Sequence, residues 1–186
     1  IDRVSASANM NNRLSEAIVE AYKATNGAPI SFELMLKCYQ SRMKDANNDD
    51  SISSVLKQLV NAHIFESEDK VSLIDDSYII KMDGYPKDGP IAKAIVYFLM
   101  SKLNNIYELL DKQAVNDEVV QIRHFSIIDE AHYMLDFDNR PLRNLIAVGR
   151  NKGLSIILAT QNMSSFKSKG FDFYANAQYP LIMKQQ

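Results

Sequence analysis

Phe125-Ser126-Ile127-Ile128-Asp129-Glu130-Ala131-His132 is the stretch on which the fold turns. A short apolar run ends in two adjacent carboxylates. A bounded apolar run of this length predicts a buried strand. In a parallel α/β sheet, ligands bind outside the C-terminal ends of the strands. A carboxylate at that position can hold a hydrated Mg²⁺, and a neighbouring one can orient and deprotonate an attacking water. Asp129 suits the first role and Glu130 the second. Acid pairs also end strands with no chemistry attached, so the surrounding residues decide how much weight the pair carries.

Downstream, Leu154-Ser155-Ile156-Ile157-Leu158-Ala159-Thr160-Gln161 is a second apolar run ending in polar groups. If the two strands are neighbours, Thr160 and Gln161 reach the same crevice as the acids. Gln161 there can sense a terminal phosphate or bind the lytic water; a helix cap or turn former is its ordinary role. Between the strands, Pro141 to Val148 is helical in pattern. Gly149-Arg150-Asn151-Lys152-Gly153 then places an arginine in a glycine-flanked turn. Such an arginine can stabilise transition-state charge on a phosphate, or can simply sit at a solvated helix terminus.

Upstream, Tyr78, Ile79, Ile80 and Met82 predict a further buried strand, ended by Asp83-Gly84-Tyr85-Pro86. Pro90 suits the first turn of a long helix, with a stripe of Ile91, Ile95, Phe98, Leu99, Leu103, Ile106, Leu109 and Leu110. Asp111 to Glu118 is a polar connection, and Tyr179 to Met183 is a last strand candidate. The alternation of strand and helix predicts an α/β fold, a parallel sheet flanked by helices, over residues 77–186. Ile79, Ile127 and Ile157 are expected on adjacent buried strands.

Residues 1–76 read differently. Leu14, Ala17, Ile18, Ala21 and Tyr22 recur at helical spacing up to Asn26-Gly27. Ser31 can cap a second helix and Ser51 or Ser53 a third. Phe65 to Ile74 suggests a small hairpin. Three helices and a hairpin also describe a winged-helix module, but no helix here carries a concentrated basic face. A helical accessory subdomain preceding the sheet is the expectation.

Composition bounds the class. The 186 residues are 46% hydrophobic and 24% charged, which are globular proportions rather than disordered or coiled-coil ones. No apolar run approaches the ~20 residues that span a bilayer. A lone cysteine, Cys38, cannot form an internal disulfide, which points to a reducing, cytoplasmic setting. The first residues are polar, without the apolar segment of a signal peptide. The net charge of −2 hides an asymmetry: residues 140–186 carry seven basic side chains against one acid, whereas residues 1–139 carry 14 against 22. A basic end can serve phosphate or nucleic-acid contact or be ordinary solvated charge.

Together, Ile127-Ile128-Asp129-Glu130-Ala131-His132, Leu142 to Gly149, Arg150-Asn151-Lys152-Gly153-Leu154 and Ile157-Leu158-Ala159-Thr160-Gln161 resemble the HerA/FtsK superfamily of P-loop ATPases, which includes conjugative motors. Asp83-Gly84-Tyr85 is similar to the end of that family's strand before the long helix. The resemblance implies a RecA-like core over 77–186 and an ATP- and Mg²⁺-dependent DNA translocase or helicase working as a homo-oligomeric, hexameric ring. It implies that Asp129 and Glu130 are the Walker B pair, with Asp129 on Mg²⁺ through water. Thr160 lines the nucleotide side, Gln161 is the sensor, and Arg150 is a finger acting on nucleotide held by the neighbouring subunit. The wording around Asn176 to Gln186 is similar to motors of bacterial defence, such as the DptH-type component of phosphorothioation-dependent restriction.

One departure stands out. The pattern G-x-x-x-x-G-K-[ST] is absent: Gly27, Gly84, Gly89, Gly149, Gly153 and Gly170 are all the glycines, and none begins it. Without that loop there is neither a backbone cradle for the phosphates nor a lysine for their charge. The chain is therefore expected to be the C-terminal part of a motor core whose P-loop lies before Ile1, and to be inactive alone. Asp-Glu-Ala-His is also similar to the DEAH group of superfamily 2 helicases, but here Ala-Thr-Gln follows where that group has Ser-Ala-Thr. A non-catalytic module binding DNA or protein is the other alternative. Three scattered histidines and one cysteine give no zinc-ligand spacing; His132 packs, or couples the acidic end to a DNA-facing side. Phe166, Phe171, Phe173 and Tyr174, near Lys167 and Lys169, can stack bases but are expected to pack.

Overall fold

The computed structural model describes residues 7–45, 48–64, 72–116, 119–135, 137–161, 163–168, 171–173, 175–177 and 179–182. The chain divides into two compact units, 1–70 and 71–186, against the 76/77 boundary read from the sequence.

The first unit packs α1 (Ala8–Ala24), α2 (Phe32–Gln40) and α3 (Ser51–Asn61). Asn26 and Gly27 end the first helical segment in left-handed geometry, with φ of 52° and 83°. Ser31 caps α2, its hydroxyl accepting from the Leu34 N–H at 3.1 Å. The cap of α3 is Asp50 rather than a serine. Its Oδ1 accepts from the N–H groups of Ile52 and Ser53, and Ser53 Oγ accepts from the Asp50 N–H. The other oxygen, Oδ2, takes the Tyr39 hydroxyl at 2.7 Å and Arg13 Nη1 at 3.1 Å. One carboxylate thus caps α3 and ties it to α1 and α2, which a serine is too short to do. Ala17, Ala21 and Tyr39 are fully buried, with Ile52, Leu56 and Leu59 beside them in the core. Of the expected hairpin, 65–71 lies outside the described residues, while Leu73 and Ile74 form a turn.

The second unit is built on α4 (Pro90–Leu109), with Pro90 at its first position. A small antiparallel pair has β1 (Val115–Asn116) inside the segment read as a polar connection and β2 (Val119–Val120) just after it. Then follow β3 (His124–Ile128), α5 (His132–Leu135), α6 (Arg140–Val148) and β4 (Leu154–Leu158), with a second small pair, β5 (Lys167–Ser168) and β6 (Phe171–Asp172). Strands β3 and β4 are parallel, in register from His124 opposite Leu154 to Ile128 opposite Leu158. The core joins Met100, Leu103 and Tyr107 of α4 to Met134, Leu135, Leu142, Leu145, Leu154 and Phe173. The stripe on α4 is rotated from the expected one: Tyr107 is buried and Leu109 is 90% exposed.

Two expectations are corrected. Tyr78 to Met82 forms no strand, and Ile79 is 90% exposed. The described part of Tyr179 to Met183 forms no strand either, with Leu181 91% exposed. An apolar run becomes a strand only against a neighbour that completes its hydrogen-bond ladder, and neither run has one among the described residues. The fold is therefore mixed α/β with a two-stranded parallel sheet. Burial along β3 alternates: Ile128, with Ile156 and Leu158 of β4, packs on the core, while Phe125, Ile127 and Ile157 lie open on the other face. The expectation that Ile127 and Ile157 are buried is thereby also corrected.

Candidate functional site at the strand ends

The in-register pairing of β3 with β4 brings both C-terminal ends to one edge. Backbone contacts prolong the pairing: the Ala159 N–H donates to the Ile128 carbonyl at 3.0 Å, and the Ala131 N–H to the Ala159 carbonyl at 2.8 Å. Ala131 is fully buried between the strand ends. A larger residue there would push the two turns apart.

Glu130 has φ of 49°, a left-handed conformation rare for a residue with a side chain. That geometry turns the carboxylate back across the strand ends. Gln161 Nε2 donates to Glu130 Oε1 at 3.1 Å. Glu130 Oε2 is closed off from solvent and makes no hydrogen bond. His132 Nδ1 lies 3.3 Å from it but off line for a hydrogen bond. Thr160 Oγ1 also lies 3.3 Å from His132 Nδ1. The imidazole stacks on Tyr133 with ring centres 4.1 Å apart, and Lys87 Nζ lies 5.9 Å over Tyr133. Asp129 is exposed, and its Oδ1 accepts from the Glu130 N–H at 2.8 Å.

The structure thus gathers Asp129, Glu130, Thr160 and Gln161 at one edge. Arg150 is elsewhere. Its 3₁₀ turn, Arg150–Lys152, precedes β4, and the Gly153 carbonyl accepts from Arg123 and His124 at the start of β3. The arginine lies at the N-terminal edge, a five-residue strand or about 16 Å from the acids at ~3.3 Å per residue. That turn is held firmly. Lys152 Nζ donates to the carbonyls of Tyr107 and Glu108 at 2.5 and 3.0 Å, satisfying the open C-terminus of α4. Gly153 is left-handed, with φ of 82°, and a Cβ on it would sit 2.7 Å from the Gln121 carbonyl oxygen. Arg150 itself is exposed.

Lys87 and Lys152 are the residues that sequence reasoning left without a role, and it gave His132 only packing or a coupling to a DNA-facing side. A lysine in the turn after a helix is a signal for carbonyl capping, but which helix it caps depends on tertiary contacts. Of the basic residues near the C-terminal end, Arg143 pairs with Asp138 and Lys152 is engaged on carbonyls. Phe173 is buried and Phe166 packs against the same core, so these two aromatics serve packing. Tyr174, Lys169 and Gly170 lie outside the described residues. Burial pushes the His124 imidazole below its ordinary value. A groove of about 350 Å³ lined by Glu16, Val19, Glu20, Lys23 and Arg42 belongs to the first unit, where Arg42 is ion-paired with Glu16 and Glu20. It holds none of the residues gathered at the strand ends.

Among the described residues no cluster of three or more acidic, histidine or cysteine side chains surrounds a metal position. A single exposed carboxylate, Asp129, suits a hydrated Mg²⁺ held through water, not a closed all-protein cage. No protein-family model matches the chain, and no curated protein matches it.

Proposed function

We propose that this chain carries the water-activating, sensing and arginine parts of an ATP-driven DNA translocase or helicase of the HerA/FtsK type, with the phosphate cradle supplied from outside these 186 residues. The observation that carries the reading is the 3.1 Å bond between Gln161 and Glu130, which unites the ends of two parallel strands in one polar cluster. A carboxylate in such a position can take a proton from water, and an amide beside it can orient that water.

MgATP, when bound, supplies the phosphoryl group. Asp129 would hold the hydrated ion, Glu130 would accept the proton of the attacking water, and Gln161 would orient that water. Thr160 would line the nucleotide side. Arg150 is too far from Glu130 to serve the same site from within one subunit. Its exposure at the opposite sheet edge suits action on nucleotide held by a neighbouring copy, as in a ring. The open face of Phe125, Ile127 and Ile157 is what an incomplete RecA-like sheet would present, since parallel sheets are normally covered on both faces. DNA as the moved polymer, a hexameric ring and a role in defence or conjugation rest on the sequence resemblance alone.

The test is ATP turnover by the full-length gene product. Glu130→Gln should lower turnover by about 10² or more while ATP binding persists. The 186-residue chain alone should hydrolyse ATP negligibly. Unchanged turnover in Glu130→Gln would sink the reading. Robust turnover by the short chain would refute the division of the site.

A further inference from the structure

We infer that His132 is a positioning residue for Glu130: its Nδ1, 3.3 Å from the buried carboxylate oxygen Oε2, carries the ring proton and turns into line with that oxygen, and the Thr160 hydroxyl, just past the end of β4, steers the same ring. The inference rests on the reading of Glu130 as the water-activating carboxylate.

Glu130 carries two oxygens in unequal circumstances. Oε1 has the Gln161 amide. Oε2 is closed off from water and makes no hydrogen bond. A buried carboxylate oxygen without a donor is costly. Among the described residues, the imidazole nitrogen of His132, at 3.3 Å, is placed to relieve it. Thr160 Oγ1 stands at the same distance from that nitrogen. An imidazole nitrogen offers either one proton or one lone pair, so the two neighbours select different tautomers. With the proton on Nε2, Nδ1 accepts from Thr160 and turns a lone pair toward Oε2. With the proton on Nδ1, the ring faces the carboxylate favourably and Thr160 acts as an acceptor. The charge of Glu130 selects the second arrangement. A small rotation of the ring brings the N–H into line.

The consequence is a carboxylate held from two sides. Gln161 arrives from the end of β4, and His132 from the first turn of α5. The Tyr133 ring lies against the imidazole, centres 4.1 Å apart and planes tilted by 38°. A general base works only when its geometry toward water is fixed. Glu130 sits in a strained turn, so its backbone alone does not fix the carboxylate.

Asparagine and phenylalanine separate positioning from packing. The Asn Nδ2 stands as many bonds from the backbone as His Nδ1, so His132→Asn keeps the donor and loses the ring. His132→Phe keeps the ring and loses the donor. In the full-length gene product, His132→Phe should lower kcat about 10-fold or more with KM for ATP nearly unchanged, whereas His132→Asn should stay within about threefold of wild type. The reverse order would make His132 a packing residue and overturn the inference, leaving Glu130→Gln to judge the wider reading. A second measurement needs no turnover. In the 186-residue chain at about pH 9, where an ordinary imidazole is neutral, the nitrogen-15 shifts of His132 should report a proton on Nδ1. Glu130→Gln should move it to Nε2. An Nε2 proton in the wild-type chain would overturn the inference whatever the ATPase result.

Discussion

Gly153 and Gly27 share a left-handed backbone, at φ of 82° and 83°, but not the same surroundings. A Cβ at Gly27 would meet open space, whereas at Gly153 it would press on the Gln121 carbonyl and the Arg123 nitrogen, both backbone. Gly27→Ala should cost the first unit only the conformational penalty of about 1–2 kcal/mol. Gly153→Ala should cost the second unit more, because backbone cannot step aside. Urea denaturation of the two variants checks the ranking, and equal losses would contradict it. Tyr39 is a residue of the first unit whose titration in the alkaline range is shifted. Burial, and then its hydrogen bond to Asp50, push its hydroxyl up from 10.0 to about 12. A pKa raised in the fold means stability that is whole below pH 10 and lost as pH rises through about 12. His124 has the opposite sign. Burial lowers its value from 6.5, so the second unit keeps that contribution above pH 6.5 and loses it as acid forces the ring to charge. Tyr39→Phe should flatten the alkaline loss in the first unit, and His124→Gln the acid loss in the second. Thermal melts across pH would show it, and profiles unchanged by these substitutions would rule both residues out.

At the scale of elements, the parallel pair β3 and β4 has one face on the core and one in the open. Ile127, 68% exposed, and Leu142, fully buried, give the contrast. Ile127→Thr should change the stability of this chain by no more than about 0.5 kcal/mol, while Leu142→Ala should cost about 2–5 kcal/mol. Chemical denaturation decides, and a large cost at Ile127 would mean that the face is covered in solution. The same pair explains what was legible in the sequence. His124 to Ile128 and Leu154 to Leu158 were readable because each run is short, apolar and closed by polar groups or a turn. Helices α1 to α4 and α6 were readable from spacing and from Ser31 and Pro90, whereas the single turn of α5 was not. Tyr78 to Met82 has the same local pattern, yet no ladder partner among the described residues, and partners are not written in the run itself. The cap of α3 was read as Ser51 or Ser53, one to three positions from the actual Asp50, because all three are good caps. The choice fell to Asp50 through Tyr39 and Arg13, contacts distant in sequence. At the site, residue types announced Asp129, Glu130 and Gln161, but only packing revealed the orphaned oxygen of Glu130 and the anchoring of Lys152.

At the scale of the whole molecule, the two edges of the β3–β4 pair hold the two halves of the proposed chemistry. Glu130 and Gln161 are at one edge, and Arg150 is at the other. No helix is long and apolar enough to cross a membrane among the described residues. The central claim is that Glu130 of one copy works with Arg150 of the next. Mixing Glu130→Gln and Arg150→Ala subunits of the full-length gene product tests it directly. Each variant alone should be inactive, since a finger contributes about 10³ or more in rate. A mixed ring should regain ATPase activity at interfaces that pair a wild-type Glu130 with a wild-type Arg150. Mixtures that co-assemble into one ring and recover no turnover would contradict the account.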